Sequence, residues 1–261
     1  MKKITYSFIL FLTAGLFACN KQSTLPDHYA IIPGGNTNVK FLMLSPNAPQ
    51  ANFFINSAKI SGIAPTTTGV VQGLVFPQLY PASVAYSTFT AGAVKVDIKV
   101  TDSSTVMPGQ TLLSVNQTFA PNKFYTFAVV DSLSKISTVV IEDDPTVPDP
   151  TKSYFRVANF VSNFPSMKIE VVKTSSGTPL TMSYPNLAFK SVTAFDTLAA
   201  GAGQVYKIYL KHPISDKRLD SISAFTPTPS KKYTIYTRGV AGLPDSTTNA
   251  KRPIITSYTN F

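Results

Sequence analysis

The segments Val39–Ile55 and Tyr154–Val171 read as one strand–turn–strand unit written twice, and this duplication constrains the fold more than any other feature of the chain. In the first copy Val39-Lys40-Phe41-Leu42-Met43-Leu44 passes through Ser45-Pro46-Asn47-Ala48-Pro49 into Ala51-Asn52-Phe53-Phe54-Ile55. In the second, Tyr154-Phe155-Arg156-Val157-Ala158-Asn159-Phe160-Val161 passes through Ser162-Asn163-Phe164-Pro165 into Met167-Lys168-Ile169-Glu170-Val171. Two further matches follow in the same order. Phe89-Thr90-Ala91-Gly92 answers to Leu198-Ala199-Ala200-Gly201, each ahead of an alternating strand, and Phe119–Phe127 answers to Phe225–Ile235. A chain of 261 residues built this way is expected to form two similar domains in tandem.

The alternation says what kind of domain. In Val94-Lys95-Val96-Asp97-Ile98-Lys99-Val100 and Val205-Tyr206-Lys207-Ile208-Tyr209-Leu210 the apolar residues recur every second position, the period of a half-buried strand. Val94, Val96, Ile98 and Val100 are expected to face a core, and Lys95, Asp97 and Lys99 water. Turn residues recur at short spacing, and no stretch beyond the amino-terminal segment keeps helical spacing. The fold expected is all-β: two tandem immunoglobulin-like or prealbumin-like β-sandwiches of about seven strands each. Glu142–Thr151 carries three prolines and three aspartates without periodicity, so it reads as a hydrated linker. The boundaries are then 39–144 for the first sandwich, 145–151 for the linker and 152–261 for the second. Protease is expected to cut the linker first and leave two stable halves.

The Ser45-Pro46-Asn47-Ala48-Pro49 turn, the Ala91-Gly92 entry to a Val-Lys-Val strand and the Pro121-Asn122-Lys123-Phe124-Tyr125-Thr126 segment carry a resemblance. They resemble the bacterial family known as domain of unknown function 4397, whose members often occur in tandem and on lipoproteins. The resemblance implies a sandwich fold and an envelope location, and it transfers no site.

The amino terminus implies the same location. Lys2 and Lys3 precede the mostly apolar run Ile4–Ala18, too short for a spanning helix and of the right length for an export signal, 1–18. Leu16-Phe17-Ala18-Cys19 resembles a lipoprotein lipobox, which implies acylation of Cys19, the chain's single cysteine; the alternative is an ordinary signal cut after Ala18. Two or three acyl chains, at ~0.8 kcal/mol per buried methylene, would anchor the protein to a membrane without spanning it. Residues 19–38 then form the lipidated tether, about 25 Å in typical reach as a flexible coil. Asn20 is not the Asp that resemblance associates with inner-membrane retention, so the outer membrane is expected.

Composition removes several classes of function. One Cys and two His leave neither a disulfide scaffold nor a Cys/His metal site, and no cofactor is expected. The net charge of +10, two units of it from Lys2 and Lys3, is spread as basic pairs and owes much to there being only two Glu; no nucleic-acid partner is expected. His28 falls in the tether. His212 could meet Asp216 or Asp220, but no nucleophile elbow accompanies it, so the chain is expected not to be an enzyme.

Two sets of surface residues are singled out. The Lys59–Ser83 connection is long for a structureless loop and rich in Val, Phe and Tyr. It either covers a sandwich edge or forms a binding lip, with Phe76, Leu79 and Tyr80 as contacts for a glycan or an envelope protein. Ser132, Thr197, Ser221 and Ser246 each follow Asp and precede Leu, Ile or Thr, resembling an O-glycosylation pattern that equally marks a turn. The expected function is a non-catalytic binding or adhesion module of the cell envelope; the alternative is a structural or accessory subunit of an envelope assembly without a small ligand.

Overall fold

The computed structural model describes residues 35–82, 84–243 and 249–261, all of which belong to one compact unit. The first repeat comprises β1 (Asn36–Met43), β2 (Ala51–Ile55), β3 (Ala58–Lys59), β4 (Leu79–Tyr80), β5 (Ser87–Thr90), β6 (Gly92–Val100), β7 (Thr111–Phe119), β8 (Phe124–Val130) and β9 (Ser137–Glu142). The second comprises β10 (Lys152–Ser162), β11 (Ser166–Lys173), β12 (Thr181–Ala188), β13 (Asp196–Ala199), β14 (Tyr206–Lys211), β15 (Arg218–Phe225), β16 (Lys232–Val240) and β17 (Ile254–Thr259).

Each repeat is a sandwich of two sheets. In the first, β4-β1-β8-β9, with β5 also on β1, faces β3-β2-β6-β7; in the second, β13-β10-β16-β17 faces β12-β11-β14-β15. The two plans coincide, with β13 answering to β5, except that β4 has no counterpart strand and is matched only by the isolated Ala158–Val192 bridge. The first strand of each repeat lies parallel to the penultimate one, Asn38 opposite Phe124 and Tyr154 opposite Lys232. Consecutive strands β1 and β2 sit in opposite sheets, whereas the immunoglobulin order keeps its first two strands together. Of the two sandwiches expected, the prealbumin-like one is therefore present. All three sequence matches fall at equivalent places. A shared detail ties the last of them: the Ala120 N–H donates to the Tyr125 hydroxyl and the Thr228 N–H to the Tyr233 hydroxyl, both at 3.2 Å.

The alternation places the cores. Val94, Val96 and Ile98 meet Phe41, Phe53 and Phe127 in the first sandwich; Tyr206, Ile208 and Leu210 meet Phe155, Ile169 and Ile235 in the second. Phe41 and Phe53 approach to 4.7 Å between ring centroids across the sheets. Lys95 faces solvent as expected, but Asp97 does not: it is buried, accepting from Ser114 Oγ at 2.6 Å and lying 3.4 Å from the Lys95 ammonium. These bonds hold its carboxyl below the usual range, the Ser114 hydroxyl first among them and the lysine charge after it.

A third apolar cluster joins the two sandwiches. Leu42, Leu44, Ala128 and Val130, on the outward face of β1 and β8, pack on Ala158, Phe160, Tyr236 and Tyr258 of β10, β16 and β17. Those two inner sheets are covered on both faces, which is why β1 and β10 read as near-continuous apolar runs rather than alternating ones. The result is four layers, with one sandwich stacked on the other.

The stacking runs in one sense. Near the starts of β1 and β10, Lys40 Nζ donates to the Thr259 carbonyl at 3.3 Å, and Tyr86 stacks on Phe261 at 5.5 Å. Beyond their ends, Lys251 Nζ donates to Asn47 Oδ1 at 3.0 Å. Strand β9 ends, and β10 begins, at the same end as the start of β1, so a short connection suffices. Most of that connection is exposed, as expected of a hydrated linker, but its start is not. Asp143 is 1% exposed and Asp144 bonds to Lys232, because the segment closes over charges buried at the junction.

Candidate functional site

Cys19 and His28 lie outside the described residues, as does Ser246. Leu79 and Tyr80 form β4, paired with Leu42 and Phe41, and their side chains pack on opposite faces of that sheet, against the junction cluster and the first core respectively. Phe76 stands apart from them: it is half-exposed, and the Arg238 guanidinium of the second repeat lies over its ring at 5.3 Å. Ser132 is half-buried and its N–H donates to Asp131 Oδ1 at 2.8 Å, Thr197 is exposed on β13, and Ser221 is half-buried on β15. The structure does not gather these three. His212 Nδ1 accepts the backbone N–H of Ile214 and Ser215 at 3.3 and 3.2 Å, while Asp216 pairs with Lys168 and Lys211 and Asp220 with Arg252.

Sequence reasoning missed the densest group of charges. Arg156 on β10 and Asp143 form an ion pair with side chains 3% and 0% exposed. Arg156 Nε also donates to Thr234 Oγ1 at 2.9 Å and its Nη1 to the Glu142 carbonyl at 3.2 Å. The Asp143 carboxylate accepts in addition from Thr126 Oγ1 at 2.7 Å and Tyr86 OH at 3.0 Å. Lys40 is wholly buried between the rings of Tyr86 and Tyr258, 4.8 and 5.1 Å from their centroids. Burial pushes its ammonium down to about 8 against the opposing pull of Asp143. Burial likewise pushes the Tyr86 and Tyr258 hydroxyls up, with Asp143 adding to both. Lys232, 2% exposed, donates to the Thr146 carbonyl at 2.9 Å and lies 4.1 Å from the centroid of Phe195; burial lowers it, and Asp144 partly restores it. The one signal available in the sequence was a lone cation inside an apolar strand, Lys40 in Val-Lys-Phe-Leu-Met and Arg156 in Phe-Arg-Val-Ala. This group is saturated with internal partners and welds the repeats together.

The opposite end is organised differently. The connections 44–50 and 101–110 of the first repeat and 163–165 and 212–217 of the second lie beyond the ends of β1 and β10, as do 241–243 and 249–253 after β16; the 60–78 connection runs back along β2 to the same end, Ile60 bonding Phe53 and Leu74 bonding Ala51. Gly35, the 143–151 segment and Phe261 occupy the other end. The loop end holds most of the exposed large apolar side chains among the described residues: Val70, Val71, Val75, Val106 and Ile214, the last 87% exposed. Ser103 Oγ donates to the Val71 carbonyl at 2.6 Å, and the Ala51–Leu74 bridge fixes the long loop's return, so these valines are presented by a held backbone. Also at this end, in the second repeat, is a cavity of about 540 Å³. Among the described residues no group of His, Cys, Asp and Glu could hold a metal ion, and no helix is long and apolar enough to cross a membrane.

No curated protein matches the chain. Among solved structures, it is similar to a proposed adhesin from Bacteroides ovatus (10% identity, 79% of this chain and 90% of that one covered, TM-score 0.25). It is also similar to the fimbrial anchor protein Mfa2 from Porphyromonas gingivalis (10% identity, 86% and 97% covered, TM-score 0.25). At those scores neither likeness carries an argument. The profile of the family described as "Domain of unknown function (DUF4397)" matches residues 37–170, from β1 through the first two strands of the second repeat. That span is just over half of the chain, and the chain belongs to the DUF4397 family.

Proposed function

We propose that this protein is a non-catalytic binding module of the cell envelope, anchored through lipid on Cys19, which offers the loop end of its two fused sandwiches to an envelope protein or glycan. The observation that carries the reading is the stacking of the repeats in one sense. It sends the 60–78 and 101–110 connections of the first repeat and the 212–217 connection of the second to one end and leaves Gly35, where the tether enters, at the other. Loops on a rigid scaffold are where recognition is concentrated, and exposed apolar side chains held by a fixed backbone suit a protein interface. The accessory-subunit reading draws on the same valines, since an apolar surface without an obvious small-ligand shape packs readily against another subunit.

Two experiments test this. Cys19→Ala is expected to shift the protein from the membrane to the soluble fraction or to leave the precursor uncut; metabolic labelling with a fatty acid that leaves the wild type unlabelled removes the anchor. For the loop end, Val71→Asp with Val75→Asp is expected to weaken capture of envelope components at least tenfold, at unchanged thermal stability. Undiminished capture by that folded variant removes the loop end as the binding surface.

A further inference from the structure

The cavity in the second repeat is walled by the turn after β10, the β14–β15 hairpin and the β16–β17 connection. Its apolar lining comes from Phe164, Met167, Leu219, Leu243 and Pro253. At about 540 Å³ it lies within the range of small-molecule sites. Its polar side chains are His212, Lys217, Arg252 and the amide of Asn163, and no Asp or Glu lines it among the described residues.

Each donor has a definite state. His212 packs its ring 4.9 Å from that of Phe164, and its Nδ1 accepts two backbone N–H groups. In the neutral ring the proton therefore sits on Nε2, which remains a donor. The Arg252 guanidinium is already committed, bonding Asp220 at 3.2 Å and the Leu219 and Pro253 carbonyls at 3.2 and 3.0 Å. The neighbouring lysines of the same sheet, Lys168 and Lys211, are neutralised by Glu170 and Asp216. Lys217 stands in no ion pair among the described residues and is exposed. The lining thus amounts to an apolar body, one positive charge without an ion pair among the described residues, one imidazole N–H and the Asn163 amide, which can bond a carboxylate as well.

We infer that this cavity binds a small amphiphilic carboxylate, its chain or ring against Phe164, Met167 and Leu219 and its carboxylate oxygens on Lys217 Nζ and His212 Nε2. An uncharged apolar molecule would leave both donors unused, and a compact anion such as phosphate would leave the apolar walls wet. One carboxylate on an apolar body matches both halves, through charge-assisted hydrogen bonds at one end and burial at the other. The inference goes beyond the envelope-binding reading and does not depend on it: it concerns a ligand of one repeat, and its test uses no envelope component.

The probe is decanoate, with decan-1-ol as the uncharged counterpart, titrated into the full chain by calorimetry and by methyl-detected NMR. Saturable one-to-one binding of decanoate is expected, with shifts at Met167, Leu219 and Leu243, and at least tenfold weaker binding of decan-1-ol. Lys217→Gln, an exposed change, is expected to weaken decanoate at least tenfold without altering the alcohol. Leu219→Trp is expected to abolish both by filling the cavity, and unchanged amide spectra elsewhere would show that each variant is folded. Absence of saturable decanoate binding, equal binding of acid and alcohol, indifference to Lys217→Gln, or shifts confined to the first repeat would each overturn the inference.

Discussion

Asp143→Ala removes one carboxylate and leaves its partners where they are. The Arg156 guanidinium, 3% exposed, loses its only counter-charge in the ion pair, while Thr126 Oγ1 and Tyr86 OH each lose an acceptor. What remains to Arg156 is Thr234 Oγ1, the Glu142 carbonyl, the Tyr258 hydroxyl and the Phe195 ring, uncharged partners that do not offset a buried positive charge. Breaking a buried pair from one side costs about 3–5 kcal/mol, and Tyr86, left without an acceptor for its proton, adds to the loss, whereas Thr126 keeps the Tyr258 hydroxyl as a partner. Replacing both partners by apolar residues, Asp143→Leu with Arg156→Met, removes the uncompensated charge and is expected to cost far less, within ~2 kcal/mol of wild type. Urea unfolding of wild type, Asp143→Leu, Arg156→Met and the double variant, followed by tyrosine fluorescence and far-ultraviolet circular dichroism, closes a cycle that gives the coupling directly. The reasoning fails if Asp143→Ala costs under ~1 kcal/mol, or if the double variant is as unstable as the sum of the singles.

Lys40 makes stability depend on pH. Its folded value of about 8 lies below the ordinary 10.5, so between those values the unfolded chain binds more protons and stability rises with pH, by up to ~3 kcal/mol in all. Asp143, Tyr86 and Tyr258 surround it; the two raised tyrosines hold their protons longer folded than unfolded, so their effect reverses the trend above about pH 10. Lys40→Met is expected to flatten the rise between pH 8 and 10 in urea titrations, and an unchanged slope would assign it to another group. Gly239, at φ +110°, has its missing Cβ directed at the Arg252 carbonyl; Gly239→Ala is expected to lose ~2 kcal/mol or more by thermal unfolding, and a neutral result would show that the β16–β17 connection gives way. Proteolysis between Thr146 and Asp149 is expected to nick the chain without separating the halves on gel filtration, because the junction cluster holds them; two free halves would contradict that cluster.

The alternation in β6 and β14 told correctly which side chains form the two cores, because a strand with one buried face writes that face at every second position. It misplaced Asp97, since a carboxylate bonded by Ser114 and paired with the Lys95 ammonium has the sequence of an exposed one. The choice between sandwich types was not legible either. That choice turns on Asn38 lying beside Phe124, and periodicity tells which way a residue faces but not which strand is its neighbour. The doubly covered inner sheets did leave a trace: Val39–Leu44 and Tyr154–Val161 are apolar without alternation, and their embedded Lys40 and Arg156 mark where a second layer supplies partners. The cavity left none, for besides Met167 of β11 and Leu219 of β15 its walls are turns, whose residues follow local backbone needs and carry no period.

Four sheets stacked about 10 Å apart set the two outer ones roughly 30 Å apart. Val106, on the β6–β7 turn, and Ile214, on the β14–β15 turn, therefore stand at opposite sides of the same end. No small ligand touches both, whereas a protein interface of standard size, burying about 800 Å² per partner, spans that distance. A partner gripping both repeats is thus macromolecular, and the two contacts would be too distant to share a neighbour. Val106→Asp and Ile214→Asp are then expected to weaken capture of an envelope partner independently, their free-energy losses adding within about 0.5 kcal/mol in the double variant. Decanoate binding is expected to remain as in the wild type in Val106→Asp. Loss from only one of the two substitutions would confine the partner to one repeat, and the fused, same-sense stacking would then serve stability rather than recognition.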